Sequence, residues 1–397
     1  MKRYFVILWE SLKLLFNSKY RVLTILFFLW LYRIDFIQAD GAGLAKALQV
    51  LTTFGMLLFM LKQDSSLIVN SFTKRGFPVR SMLLLFSFGI LSTLWAYLPT
   101  FAFFLSFQNV VVILLLIWAF KKTLSFVSAE KLFLSTSVII MLFESIFLRV
   151  LYQPYLFVHY LSVGSMAAIC ISYCLAELLS LKIKDKERVN YLKGTFIISI
   201  IILILSTSSG ANASAVFGII VALLLSKKKI YGFLLLIFGF ILYLNQDLIQ
   251  DLILFIMPGK TMEVIESGTG RATIWAEIFK IAEQRPFIGW GFACVERLVS
   301  NFGTIVSDAH NNFIGFYGSL GLIGLFIYTL HFLSTFSYTF KRRLKIGYRG
   351  LIAALGCATL NGYSYGYLSG KTCSITIAYF AVIVLSFYYS KYKLYRD

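Results

Sequence analysis

"AFFLSFQNVVVILLLIWAFKK", Ala102 to Lys122, is a run of nineteen uncharged residues closed by two lysines. At 1.5 Å rise per residue such a run is about 28 Å long as a helix, close to the ~30 Å hydrocarbon thickness of a bilayer. The lysine pair marks where it would leave the hydrocarbon. The same pattern recurs along the chain. Twelve stretches qualify as apolar spans: roughly 22–38, 44–61, 81–97, 102–120, 132–150, 160–180, 192–208, 211–226, 230–246, 312–335, 350–367 and 373–390. The first of these has no small-residue cleavage site and is one of many, so it reads as a span and not as a removed signal peptide.

Composition agrees. The 397 residues are 59% hydrophobic and only 14% charged, with a mean hydropathy of +0.81; a soluble chain is closer to half apolar and a quarter charged. The net charge of +19 does not point to nucleic acid, because the basic residues fall in short runs between apolar stretches instead of on one face of a soluble domain. Five cysteines make no metal or redox pattern, and Cys170 and Cys174 read as small packing residues. The fold class expected is an all-α polytopic membrane protein.

The basic runs also orient it. "KRGFPVR", "KK" at 121, "KIKDKER", "KKK" at 227, "KRRLK" and "KYKLYR" fall on one side of the twelve-span arrangement. Roughly 28 of the 37 Lys and Arg lie there, so both termini are expected in the cytoplasm. Residues 1–246 then form nine spans, 247–311 an extracytoplasmic loop and 312–397 three more spans. A long loop on a rigid scaffold is where chemistry is expected.

Within that loop, "RATIWAEIFKIAEQ" places Ile274, Ile278 and Ile281 on one helical face. The spacing predicts an amphipathic helix ending at Pro286 and lying along the outer membrane interface. Arg271 starts this helix and Arg285 follows its far end; guanidinium groups suit phosphate oxygens, and also lipid headgroups or nearby carboxylates. "FIGWGF" holds Gly289, Trp290 and Gly291 in a turn that either packs at the interface or offers an aromatic platform to a sugar. His310 closes the loop, with Asp308 two residues before it and Asn311 after it. It reads as a packed or interfacial residue, or as a general base held in one tautomer. His159 and His331 are weaker candidates.

In order along the chain, "GRATIW", "PFIGWG" and "HNNFIGFYGSLGLIG" resemble the O-antigen ligase and polymerase superfamily of polysaccharide membrane enzymes. The close match runs over about 267–326, and the topology resembles the family throughout. The resemblance implies a GT-C-like helical fold, with a glycan on undecaprenyl diphosphate transferred to a sugar hydroxyl. It implies no metal and no cofactor. Arg271 and Arg285 would stabilise the diphosphate, and His310 would take the acceptor's proton, with Asp308, Asn311, Trp290, Gly289 and Gly291 binding substrate. Its implied partners are the lipid-linked oligosaccharide, membrane lipids and a chain-length regulator or other assembly proteins. The implied location is a bacterial inner membrane with the site on the periplasmic face. Ligases of this type carry an arginine after Thr-x-Ser where this chain has Gly210 in "TSSGANASA", which favours a polymerase over a ligase.

A secondary transporter or lipid flippase is the rival reading from another class, and a scaffolding membrane protein a third. Transporters mark their path with paired ionisable groups at mid-membrane. The sequence offers Glu144 and Glu177 within spans, without a basic partner at similar depth, and no internal repeat.

Overall fold

The computed structural model describes residues 21–34, 42–123, 125–148, 160–180, 186–206, 208–244, 271–301 and 309–391. The expected loop residues 247–270, together with His159 and Asp308, lie outside the described residues. Everything regular among the described residues is helical. In chain order the helices are α1 (Arg21–Ile34), α2 (Ala42–Gln63), α3 (Leu67–Thr73), α4 (Phe77–Leu91), α5 (Pro99–Lys121), α6 (Phe126–Leu142), α7 (Tyr160–Ser180), α8 (Lys186–Ser206), α9 (Ser209–Leu224) and α10 (Lys229–Leu244). They continue with α11 (Arg271–Ala282), α12 (Val295–Asn301), α13 (Asn312–Phe340), α14 (Tyr348–Gly362) and α15 (Ser374–Lys391).

Each of the twelve expected apolar stretches overlaps one of these helices over its described residues. Among the described residues six helices are long and apolar enough to cross a membrane, and five further apolar helices are shorter. The ends follow local rules. Prolines stand in the first turns of α4 and α5, where a missing N–H costs nothing. Ser125 and Ser208 cap α6 and α9 by accepting from Ser128 N and Ala211 N.

At the centre, α7 packs against α6, α8, α9, α14 and α15. Small residues permit this, since lipid supplies no hydrophobic drive and helices gain by close approach. Gly218 of α9 sits directly on Ser172 of α7 and Cys357 of α14, and Ala176, Ala222 and Ala353 form a small cluster between the same three helices. Cys170 and Cys174 of α7 are fully buried free thiols in the main core. Hydroxyls inside the helices return their protons to the preceding turn, as Ser172 does to Ala168 O at 2.7 Å. By contrast α10 packs on α9 and exposes Phe233, Ile237, Phe238 and Phe240, a surface suited to hydrocarbon.

Glu177 does have a basic partner. Arg188 lies in the first turn of α8, is 4% exposed, reaches Glu177 at 2.8 Å and grips Glu130 of α6 through Nε and Nη2, both at 2.6 Å. Tyr173 Oη donates to Glu130, and Gly347 N and Gly350 N donate to Glu177. Arg188 belongs to the basic run "KIKDKER" that reads as a loop, so its burial is invisible to hydropathy. The cluster ties α6, α7, α8 and the start of α14 at the end of the bundle opposite His310. Glu144 is also buried, accepting from Ser374 Oγ at the start of α15.

Candidate functional site

The described part of the late loop packs as a small structure of its own. Ile278 and Ile281 of α11 meet Val295, Leu298 and Val299 of α12 and Ala309, with Ile274, Trp290 and Ile314 at the margin. The isoleucine face of α11 is therefore covered by α12 and the start of α13 and not by lipid; Phe279, Phe287 and Ile288 are exposed apolar groups here. The helix ends at Ala282, four residues before Pro286, because a turn has already begun at Glu283.

That turn repairs a break in α13. Gly321 has φ 65° and ψ −163°, a region open essentially to glycine alone. The break strips backbone groups of their helical partners, and the turn supplies new ones. Leu322 N donates to Pro286 O at 2.8 Å, Ile323 N to Phe287 O at 3.2 Å, and Gly291 N to Ser319 O at 2.8 Å. A Cβ on Gly321 would stand 2.3 Å from the Phe287 carbonyl carbon, and one on Gly289 2.4 Å from Ser319 O. Gly289 and Gly291 of "PFIGWG" and Gly321 of "GSLGLIG" thus belong to one interlocked joint. The joint is also fixed to the α4–α5 connection, through Tyr97 N to Trp290 O, Trp95 Nε1 to Ile288 O and Phe292 N to Ser92 Oγ.

Arg285 belongs to this joint. Its guanidinium lies 4.1 Å from the centre of the Trp290 ring and donates to Trp95 O at 3.1 Å, so one face of Trp290 is covered by a cation. Trp290 Nε1 donates to Ile281 O. Arg271 is half-buried at the first position of α11. The twelve residues of that helix put its two ends roughly 17 Å apart along the axis, and Arg285 lies beyond the far end.

His310 stands at the start of α13, half-buried, with φ 53°. Left-handed backbone at a non-glycine residue costs on the order of 1–3 kcal/mol and collects at functional sites. Its neighbours on both sides are pinned. Ala309 O accepts from Trp275 Nε1 at 2.9 Å, and Asn311 caps α13 by accepting from Phe313 N and Ile314 N. Trp275 is one turn beyond Arg271 on the same face of α11, so this contact aligns the arginine's face with the histidine. Asn311 is 5% exposed and its side-chain carbonyl is committed to the cap.

Sequence reading missed Asn312. Its side chain is fully buried and its Oδ1 accepts from Leu368 N at 2.9 Å, fastening the α14–α15 connection under His310. A second Asn after the His-Asn pair is the only sign of it in the sequence. Gly210, at the start of α9, faces the same connection: a Cβ there would meet Ser364 Oγ at 2.9 Å. His331 is a satisfied interior group, bonded to Ser81 Oγ, Pro78 O and Tyr379 Oη.

Residues 194–329 match the family model described as O-antigen ligase. The chain carries an O-antigen ligase family domain. The match supports the O-antigen ligase/polymerase superfamily and runs from within α8 through α12, the joint and His310 to within α13. No curated protein matches the chain. Over this stretch, about a third of the chain, the protein is similar to membrane enzymes of the O-antigen ligase type.

Proposed function

We propose that this ligase-family chain is a polysaccharide polymerase: it transfers a glycan from undecaprenyl diphosphate to a hydroxyl of an acceptor sugar, on the outer face of a bacterial inner membrane. In this reading all twelve apolar helices cross the membrane and both termini are cytoplasmic, as the Lys and Arg distribution favours. The bond from the anomeric carbon to the diphosphate oxygen breaks, its electron pair leaves with the diphosphate, and the acceptor oxygen bonds to that carbon. His310 takes the acceptor's proton. Arg271 stabilises the leaving diphosphate in a half-buried setting, where a fixed cation counts for more than in water. No acid is needed for so good a leaving group, and no metal is invoked.

The observation that carries the reading is His310, in left-handed backbone, held between the Trp275–Ala309 bond and the Asn311 cap and beside the helix that Arg271 begins. Arg285 is given the role of a positioning residue acting through Trp290 and the joint, because its guanidinium is engaged there. Gly289 and Gly291 serve the same joint. Asp308 and the remaining amide of Asn311 complete the substrate side of the proposal.

Polymerase is favoured over ligase by Gly210, which meets Ser364 closely where the ligase pattern has an arginine. Transport is disfavoured by the state of the buried charges: Arg188, Glu130 and Glu177 satisfy one another and the backbone, as a structural clasp does. Lipid-linked glycans profiled in a deletion strain test the choice. Single repeat units accumulating on the lipid support a polymerase, long lipid-linked chains a ligase, and an unchanged profile neither.

A further inference from the structure

At the end of the bundle opposite His310, α1, α5, α6, α7 and α15 enclose a cavity of about 180 Å³ with almost wholly apolar walls. The smaller cavity of about 150 Å³ engineered elsewhere takes up a benzene ring and stays dry. Lys122, just past the last turn of α5, is the exposed residue of its lining and marks its mouth; Leu23 in the first turn of α1, Met166 and Ile377 are further lining residues. The walls run from Leu115 to Lys122 along α5 and from Leu132 to Ser137 along α6, lengths of roughly 10 and 8 Å. One leaflet of a bilayer contributes about half of the ~30 Å hydrocarbon thickness, so the cavity takes roughly the headgroup-proximal two thirds of one acyl chain. Half-buried Phe27 and Ala119 belong to its lining, while Val22, Ile25 and Leu29 are exposed on the opposite face of α1.

The mouth carries charge. Lys122 is exposed, with its ammonium 5.5 Å from the centre of the Trp118 ring, and Trp118 is itself a wall residue. The adjacent Lys121 pairs with Asp64 at 2.5 Å. A cation fixed over an apolar slot between membrane helices matches one molecule: an anionic phospholipid with one chain in the slot and its phosphate at the lysine. We infer that this cavity is a binding site for an anionic phospholipid of the cytoplasmic leaflet. The site rests on the membrane orientation but not on the transferase reading, since it lies at the other end of the bundle from His310.

Purified full-length chain in mixed micelles, with phosphatidylglycerol or phosphatidylcholine of the same acyl chains, measured by native mass spectrometry, tests this. One phosphatidylglycerol should be retained per chain, preferred over phosphatidylcholine by about fivefold, the worth of one lysine near an anionic headgroup. Lys122→Gln, an exposed change that leaves the fold alone, should bring the two lipids to parity. Ala119→Phe should reduce retention of both. Equal retention of the two lipids by the unaltered chain, or a preference untouched by Lys122→Gln, overturns the proposal. So does displacement of both lipids by a polyprenyl phosphate that ignores Lys122→Gln, which would give the slot to the donor's tail.

Discussion

Gly321→Ala puts the joint between the broken helix and the loop to a direct test. The native backbone at φ 65° and ψ −163° charges any residue with a Cβ about 1–3 kcal/mol. The new methyl would also stand 2.3 to 2.5 Å from backbone atoms of Phe287 and Ile288, which cannot rotate away as a side chain would. The turn must move, and with it go the bonds from Leu322 N to Pro286 O and Ile323 N to Phe287 O, each worth a net ~0.5–1.5 kcal/mol. The expected loss is about 2–6 kcal/mol. Thermal melting of the purified protein in detergent measures it, with Gly239→Ala beside it as control. That glycine, in α10, has open space around its would-be Cβ, so alanine there should be neutral or stabilising by up to ~1 kcal/mol. Gly321→Ala should melt well below the unaltered protein, and its 285–294 turn should become sensitive to protease. Two variants melting together at the unaltered temperature would refute the joint.

Three further outcomes are expected. Arg271→Lys should reduce transfer nearly as much as Arg271→Ala, because lysine keeps the charge but loses the planar fork; near-normal product from the lysine variant, read on a glycan gel, would make Arg271 a headgroup contact. Arg188→Leu should destabilise by about 3–5 kcal/mol in the same melting assay, since Glu130 and Glu177 would stay buried without their cation; a loss under 1 kcal/mol would mean the carboxylates are not held as ions. All five cysteines are buried and free, and burial pushes the Cys294 thiol up to about 11, so the native chain should resist an impermeant maleimide in intact cells. Against that silent background a cysteine replacing Glu283 should label and one replacing Lys228 should not; labelling at Lys228 would overturn the orientation.

The apolar segments were legible because hydropathy sums over many residues and tolerates local exceptions. The Lys and Arg runs gave an orientation by the same kind of sum. What escaped were features decided by a single residue or a distant partner. Arg188 sits among charged residues and reads as loop, yet it closes the clasp on Glu130 and Glu177. The helical periodicity of Ile274, Ile278 and Ile281 correctly marked a buried face but not what buries it, since α12 and Ala309 are contacts across the chain. Of the candidate site, His310 and the glycine pattern stood out as rare residues in an apolar chain. The break at Gly321, its repair by the 286–291 turn and the anchoring of Asn312 to Leu368 needed three dimensions.

The central claim is that His310 accepts the proton of the attacking sugar hydroxyl, and single-turnover transfer by the purified enzyme from a lipid-diphosphate oligosaccharide donor measures it most directly. His310→Ala should lose about 10²–10⁴-fold in rate while binding the donor as tightly as the unaltered protein, because the diphosphate is assigned to Arg271. The unaltered rate should fall toward acid pH, where a protonated imidazole cannot accept a proton, and that acid limb should vanish in the variant. A His310→Ala enzyme that turns over within a few-fold of the unaltered one, with the same pH profile, would contradict the account.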